Sequence, residues 1–232
     1  MKLLSYNIRF GGAGREEPLA AVIRDCDPDL VVLQEAVRPE VVERLSELTG
    51  LKTWASRRGH SLAFLSRSEV SHHEWHRPRG SRRAFLEIVP AGAGLRVFGV
   101  HLTAVHSWWT ERMRMREMRA LLRGIERHQD GFHVLAGDFN TLAPGELLDT
   151  GHLPPRLRPF VWLSGGRVRY RTIQIMLDAG YADAYRALRP KDDPGHTFPT
   201  WSPHVRLDFV FLPATHAPRL RDCRVHRAAP VA

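Results

Sequence analysis

The chain has 232 residues, of which 43% are hydrophobic and 25% are charged, as in an ordinary globular protein. This length provides one sizeable core, and the sequence has no apolar run of 18 residues, which excludes a transmembrane helix. The formal net charge of +9 favours partners that carry phosphate, such as nucleic acid, anionic lipid or a phosphorylated small molecule.

The chain begins almost directly with a strand-like pattern and lacks the apolar segment of a signal peptide. We therefore expect a cytoplasmic location. Apolar periodicity predicts a mixed α/β chain with many antiparallel hairpins. The predicted elements, in chain order, are strand 3–8, helix 16–26, strand 30–33, helix 39–48, strands 52–56, 61–66, 70–76, 83–89 and 95–102, helix 107–128, strand 133–137, helix 171–179, and strands 205–212 and 221–227.

Polar side chains follow or interrupt several of the apolar strands. They are Asn7, Glu35, His101, Asp138, Asn140 and Asp208. A carboxylate attached to a buried strand is costly unless it is paired or metal-bound, so we expect these side chains to converge on one site. Oxygen ligands with amide and imidazole neighbours suit Mg²⁺ or Mn²⁺. Phosphoester chemistry needs this combination of a cation, hydrogen-bond donors and a base for water.

Six stretches of the sequence resemble the endonuclease/exonuclease/phosphatase superfamily, and they cover nearly the whole chain. They are Ser5-Tyr6-Asn7-Ile8, Leu33-Gln34-Glu35, Leu62-Ala63-Phe64-Leu65-Ser66-Arg67, Val100-His101-Leu102, Gly137-Asp138-Phe139-Asn140 and Arg206-Leu207-Asp208-Phe209-Val210. The resemblance implies a four-layer α/β/β/α sandwich of two packed mixed sheets with helices outside. It implies one domain over residues 1–232 that lacks its last strand, and a Mg²⁺-dependent (or Mn²⁺-dependent) phosphoester hydrolase.

Positions within these motifs imply roles for the matching residues. Glu35 resembles the principal Mg²⁺ ligand, with Asn7 beside it. His101 resembles the histidine that donates to a non-bridging phosphate oxygen, and Asp138 the residue that positions or deprotonates the attacking water. The implied reaction is in-line attack of water on phosphorus, with the charge of the transition state stabilised by the metal and the histidine.

The resemblance also implies that Asn140 binds the phosphate and that Asp208 orients the last histidine of the family, in a Ser-Asp-His-x-Pro element. This chain instead ends Cys223-Arg224-Val225-His226-Arg227-Ala228-Ala229-Pro230-Val231-Ala232. Two explanations stay open: the element follows Ala232 in a longer chain, which we favour, or His226 replaces it. Without that histidine, hydrolysis would fall heavily, because catalytic groups act as a unit.

Substrate choice is expected to depend on loops around the site. Trp108 and Trp109 suit base stacking with phosphate contact or insertion at a membrane interface. The basic, apolar segment 154–162 is expected to cover the cleft or to contact a lipid or nucleic acid surface. Arg67 is expected to help bind phosphate. Three hypotheses stay open: a nuclease or nucleic-acid phosphodiesterase, which the charge favours, a lipid or small-molecule phosphoesterase, and a catalytically impaired polyanion-binding protein.

Overall fold

The computed structural model describes residues 1–104, 107–126, 131–146, 159, 162, 170–189 and 193–227. The strands in this part of the chain are β1 (Leu3–Asn7), β2 (Leu30–Gln34), β3 (Thr53–Ala55), β4 (Ala63–Ser66), β5 (Val70–His76), β6 (Phe85–Pro90), β7 (Arg96–His101), β8 (His133–Asp138), β9 (Tyr181–Asp183) and β10 (Asp208–Pro213). The α-helices are α1 (Glu16–Cys26), α2 (Pro39–Thr49), α3 (Trp108–Ile125), α4 (Thr172–Asp178) and α5 (Ala184–Leu188). Short 3₁₀ helices cover Phe10–Gly12 and Ala214–Arg219.

The strands form two mixed sheets. The first has the order β1-β2-β4-β3, in which β1 and β2 are parallel and the other pairs are antiparallel. The second has the order β5-β6-β7-β8-β10-β9, in which only β7 and β8 are parallel. Parallel neighbours end at the same edge of a sheet, so each sheet brings two strand ends together.

Three apolar clusters separate four layers. Alternate residues of the two sheets face each other, as Val32 and Phe64 do with Leu86 and Val97. The outer face of the first sheet packs against α1 and α2, and the outer face of the second packs against α3 and α4. Helices cover the outer faces and the two sheets cover each other, so the central strands β2 and β8 are buried on both faces, which explains their continuous apolar runs. The predicted four-layer sandwich of two mixed sheets is confirmed.

Two glycines allow close approach of the backbone near the strand ends. Gly137 has φ +155, and a Cβ atom there would lie 1.8 Å from the Val100 carbonyl oxygen. A Cβ on Gly99 would lie 2.9 Å from Val32 Cγ1 on the facing sheet. Gly137 therefore permits the tight pairing of β7 with β8 just before Asp138.

Most predicted helices and strands agree with the structure to within a few residues, but the C-terminal part differs. Residues 221–227, predicted as a strand, are irregular. These residues alternate between apolar and polar types, as a strand does, but they pair with no strand in the described part of the chain. The structure instead adds the short elements β9 and α5, which are too brief to give a periodic signal. None of the helices in the described ranges is long and apolar enough to span a bilayer.

Candidate active site

Strand ends place five of the six predicted side chains at one edge of the sandwich. In the second sheet, His101 pairs in register with Asp138, and Asp138 pairs with Asp208. The three residues therefore follow one another across β7, β8 and β10. In the first sheet, β1 ends at Asn7, and Glu35 directly follows β2. Asn7, His101, Asp138 and Asp208 alternate with residues that face the outer layers, so their side chains point between the two sheets. Glu35 is in phase with the outward-facing Leu33, and its left-handed backbone (φ 57) redirects its side chain to Asn7.

Asn7 links the two sheets. Its Nδ2 atom donates to Glu35 Oε1 at 3.1 Å and to Asp138 Oδ2 at 3.1 Å. Its Oδ1 atom accepts from the backbone N–H of Arg9 at 2.9 Å. The second oxygen of Glu35 accepts from the Phe10 backbone N–H at 2.7 Å. One amide therefore holds two carboxylates from different sheets in a fixed relation.

Ser61, just before β4, orients His101. Its hydroxyl oxygen accepts from the Glu35 backbone N–H at 3.1 Å and is hydrogen-bonded to His101 Nδ1. The hydroxyl proton is available to Nδ1, because the oxygen has two lone pairs and accepts from Glu35 with one of them. A hydroxyl that donates to Nδ1 would leave the ring hydrogen of His101 on Nε2, the atom that lies 4.0 Å from Asp138 Oδ2.

Burial keeps His101 neutral. Its pKa is lowered to about 4, first by loss of solvation and then by the positive charge of Arg83, which outweigh the opposite effect of Glu35. A neutral imidazole with hydrogen on Nε2 is a donor toward the space between the carboxylates. Arg83 adds a positive charge near that space.

Asp138 is buried, and the partly buried Asp208 lies beside it on the neighbouring strand. Burial raises the pKa of Asp138 well above its usual value, and the neighbouring charges of Asp208 and Glu35 raise it further. Hydrogen bonds from the Asn140 backbone (2.8 Å, to Oδ1) and from Asn7 act in the opposite direction. Burial also raises the pKa of Asp208 to about 6, against a hydrogen bond from Thr197. A carboxylate with a raised pKa is a stronger base for water.

Two of the site residues adopt left-handed backbone conformations. Glu35 has φ 57 and Asn140 has φ 51. The Asn140 side chain donates to the Leu102 carbonyl oxygen at 3.1 Å, so its backbone N–H, and not its side chain, holds Asp138. Conformations of this kind cluster at functional sites, where the surrounding structure compensates their cost.

The other predicted residues are distributed differently. Trp108 and Trp109 begin α3 and are about half exposed, and Glu111 in the same turn accepts from Thr141, next to Asn140, at 2.8 Å. The start of α3 thus lies at the site edge. The basic segment 154–162 falls outside the described residues except for Pro159 and the exposed Trp162.

The structure does not bring Arg67 or His226 to the cluster. Arg67 follows β4, which runs antiparallel to β2, so it lies at the opposite edge from Glu35. There it is hydrogen-bonded to Asp27 and lies near Asp29. His226 Nε2 lies 3.0 Å from Asp25 Oδ2 near the end of α1.

The cluster suits a divalent cation. Glu35, Asp138 and Asp208 bring three carboxylates together, of which Asp138 is buried and the other two are partly buried. Burial raises the pKa of Asp138, and repulsion by the other two carboxylates raises it further. A bound cation would offset that repulsion. In the described ranges, no group of three His, Cys, Asp or Glu side chains has the geometry of a complete metal site. Mg²⁺ is commonly held by one or two carboxylates, with waters and substrate phosphate completing its shell, so Glu35 and its neighbours fit that ion.

Several features of this site are not evident from sequence patterns. Ser61 and Arg83 precede strands without a distinctive motif, and Arg9 and Phe10 follow Asn7 in a turn. A Ser directly before the matching stretch that begins at Leu62 is the one available signal. Its significance depends on the packing of the first sheet against His101.

Solved structures show the same fold at low sequence identity. An AP endonuclease from Archaeoglobus fulgidus has a TM-score of 0.72 and 15% identity, covering 97% of this chain and 91% of that one. The 3′ phosphatase NExo from Neisseria, bound to product DNA hairpin, has a TM-score of 0.67 and 18% identity, with the same coverage. D. rerio TDP2 in complex with single-strand DNA product has a TM-score of 0.62 and 20% identity, covering 92% and 83%.

No curated protein sequence matches the chain. The model of the Endonuclease/Exonuclease/phosphatase family matches residues 4–229. The family is named for enzymes that hydrolyse phosphoester bonds, and the matched range includes every residue of the cluster. This chain belongs to the endonuclease/exonuclease/phosphatase family.

Proposed function

We propose that this chain is a Mg²⁺- or Mn²⁺-dependent hydrolase that cleaves phosphoester bonds of nucleic acid, as a phosphodiesterase or nuclease. The observation that carries the proposal is the Asn7 amide, which bridges Glu35 and Asp138 beside His101 and Asp208. Phosphoryl transfer to water requires a base and hydrogen-bond donors for the developing charge. This edge of the sandwich supplies carboxylates, a neutral imidazole and an amide.

The residues of the cluster then have distinct tasks. Glu35 would hold the cation, which would polarise a phosphoryl oxygen. His101 would donate from Nε2 to another non-bridging oxygen. Asp138 would accept the proton of the attacking water as the new O–P bond forms and the bond to the leaving alcohol breaks. Asn7 holds Glu35 and Asp138 together, and Asn140 fixes Asp138 through its backbone N–H.

Charge supports nucleic acid as the substrate. The net charge is +9, and Arg112, Arg116, Arg119 and Arg123 are exposed along α3. Positive surfaces attract polyphosphates and raise their association rates. DNA is also the bound molecule in the Neisseria phosphatase and the D. rerio TDP2 structures.

A substrate panel tests the proposal. We expect Mg²⁺-dependent cleavage of single-stranded or duplex DNA that falls steeply as salt increases, because phosphate contacts release counterions. Sphingomyelin and bis-para-nitrophenyl phosphate serve as the lipid and small-molecule comparisons. Preferred cleavage of either, with little action on DNA, would contradict the nucleic-acid assignment. DNA binding without cleavage of any phosphoester would contradict the hydrolase assignment.

A further inference from the structure

The turn after β1 holds two large residues in an unfavourable backbone conformation. Arg9 has φ 51 and Phe10 has φ 54, a region that bulky residues seldom adopt. The Phe10 side chain is 76% exposed, so burial of its ring does not offset this cost. The backbone N–H groups of both residues are instead bonded to Asn7 and Glu35 of the active site. A strained turn that displays an aromatic ring beside the catalytic carboxylates points to a role for that ring.

Arg9 is placed between two exposed rings. Its guanidinium carbon lies 5.0 Å from the centroid of Phe10 and 5.4 Å from the centroid of Trp201. Trp201 is 63% exposed. Two rings with a cation between them therefore stand open to solvent. We call Arg9, Phe10 and Trp201 the aromatic rim.

The second half of the aromatic rim is connected to the other side of the site. Trp201 lies in a loop closed by the pairing of Phe198 with Val205. The same loop contains Thr197, whose hydroxyl oxygen accepts from the Asp208 backbone N–H at 3.3 Å. The aromatic rim therefore links the Glu35 side of the site with the Asp208 side.

We propose that the aromatic rim is a stacking subsite for an unpaired nucleobase next to the scissile phosphate, so that single-stranded nucleic acid is preferred to a continuous duplex. This inference rests on the proposed function. Aromatic rings stack on any base, and a guanidinium adds a cation–π contribution. A ring pair that inserts into lipid would carry the Arg9 charge toward the apolar region at a cost, which favours the nucleobase.

The hydrolysis test compares two strands with the same phosphates. One is a short oligothymidylate, and the other is an equally long strand of abasic tetrahydrofuran residues. We expect Trp201→Ala to lower kcat/KM on oligothymidylate about 10-fold, mainly through KM, since base stacking on one ring contributes that much. Trp201→Ala should cleave the abasic strand with the same kcat/KM as the wild type. Trp201→Phe should retain most of the activity on oligothymidylate.

An arginine–aromatic pair at the opposite edge provides a matched control. The Arg219 guanidinium lies 5.4 Å from the Phe132 ring, beyond the far ends of β8 and β10. Lysine keeps the charge but loses the planar stacking group. Arg9→Lys should therefore weaken cleavage of oligothymidylate, whereas Arg219→Lys should leave it unchanged.

A binding measurement in EDTA separates this inference from the proposed function. By fluorescence anisotropy, the wild type should bind oligothymidylate more tightly than the abasic strand, and Trp201→Ala should remove the difference. If this holds while no strand is cleaved, the subsite stands and the hydrolase proposal fails. Equal binding of both strands by the wild type, or an equal loss on both in Trp201→Ala, overturns the subsite. Binding to phosphatidylserine vesicles is measured in parallel. If Trp201→Ala weakens binding to these vesicles but not to oligothymidylate, the aromatic rim is a lipid contact and the nucleobase subsite is overturned.

Discussion

Ser61 and His101 are hydrogen-bonded across the two sheets, the first just before β4 and the second at the end of β7. Ser61 also accepts from the Glu35 backbone N–H. The backbone position of Glu35 and the orientation of the His101 ring thus depend on the same hydroxyl. Neither sheet alone would fix the orientation of the His101 ring.

Removing this hydroxyl should disturb the histidine more than the fold. We predict that Ser61→Ala lowers kcat about 2- to 10-fold, the equivalent of one net hydrogen bond. The ¹⁵N NMR shifts of His101 should change from the pattern of a single tautomer with hydrogen on Nε2 to that of a mixture. Ser61→Thr, which keeps the hydroxyl, should restore both properties. An unchanged tautomer in Ser61→Ala would remove Ser61 as a positioning residue.

His101 should make stability depend on pH in a defined window. Its folded pKa of about 4 is below the ordinary value of 6.5, so the unfolded chain binds the proton more readily. Stability is therefore full above pH 6.5 and decreases as the pH falls toward 4, by about 1.4 kcal/mol per pH unit at most. In urea unfolding with EDTA, His101→Gln should show a shallower decrease than the wild type across this window. The control His72→Gln, on an exposed face of β5, should keep the wild-type slope.

Asp208 should reduce stability at neutral pH. Its folded pKa of about 6 exceeds the usual 3.8, so the folded state binds the proton more tightly. The stability that it contributes is full below pH 3.8 and is lost as the pH rises through 6. We predict that Asp208→Asn raises the free energy of unfolding at pH 8 in EDTA by about 1–3 kcal/mol and lowers hydrolysis. Exposed Asp178→Asn is the control, and an Asp208→Asn variant no more stable than the wild type at pH 8 would contradict the unfavourable burial of this carboxylate.

Gly137 should tolerate no side chain. A Cβ atom at this position would meet the Val100 carbonyl at 1.8 Å, so β7 and β8 would have to separate next to Asp138. We predict that Gly137→Ala destabilises the fold by about 3 kcal/mol or more, in the range of the larger point-mutant effects. Gly92→Ala, in an open turn with positive φ, is the control and should cost less in thermal unfolding. Equal losses in the two variants would mean that the close approach of the strands is unimportant.

The sequence predicts the layers of the fold because the central strands are buried on both faces, and continuous apolar runs such as Leu30-Val31-Val32-Leu33 record this directly. It also predicts the convergence of Asn7, Glu35, His101, Asp138 and Asp208 at one edge, from polar residues at strand ends. It fails at Arg67, which also follows a strand, because a sequence pattern does not reveal strand direction and β4 runs opposite to β2.

The sequence also fails to predict the aromatic rim, and the reason is related. Phe10 and Trp201 are 191 positions apart in the printed sequence, and their approach to Arg9 depends on left-handed backbone angles after Asn7. Propensity gives no indication that Phe10 adopts such angles, since they are unfavourable for its type. Ser61 is missed because its importance depends on a residue of the other sheet.

Above all, we propose that Glu35 holds a divalent cation for phosphoester hydrolysis at this cluster. The most direct measurement is cleavage of an end-labelled DNA strand in Mg²⁺ and in EDTA by the wild type, Glu35→Gln and the exposed control Glu43→Gln. Glutamine keeps the size of the side chain and one oxygen that can accept from Phe10, but it removes the charge and the second acceptor, which binds Asn7 Nδ2. We predict Mg²⁺-dependent cleavage by the wild type and Glu43→Gln, and none by a folded Glu35→Gln. Cleavage that persists in EDTA or in Glu35→Gln would contradict the account.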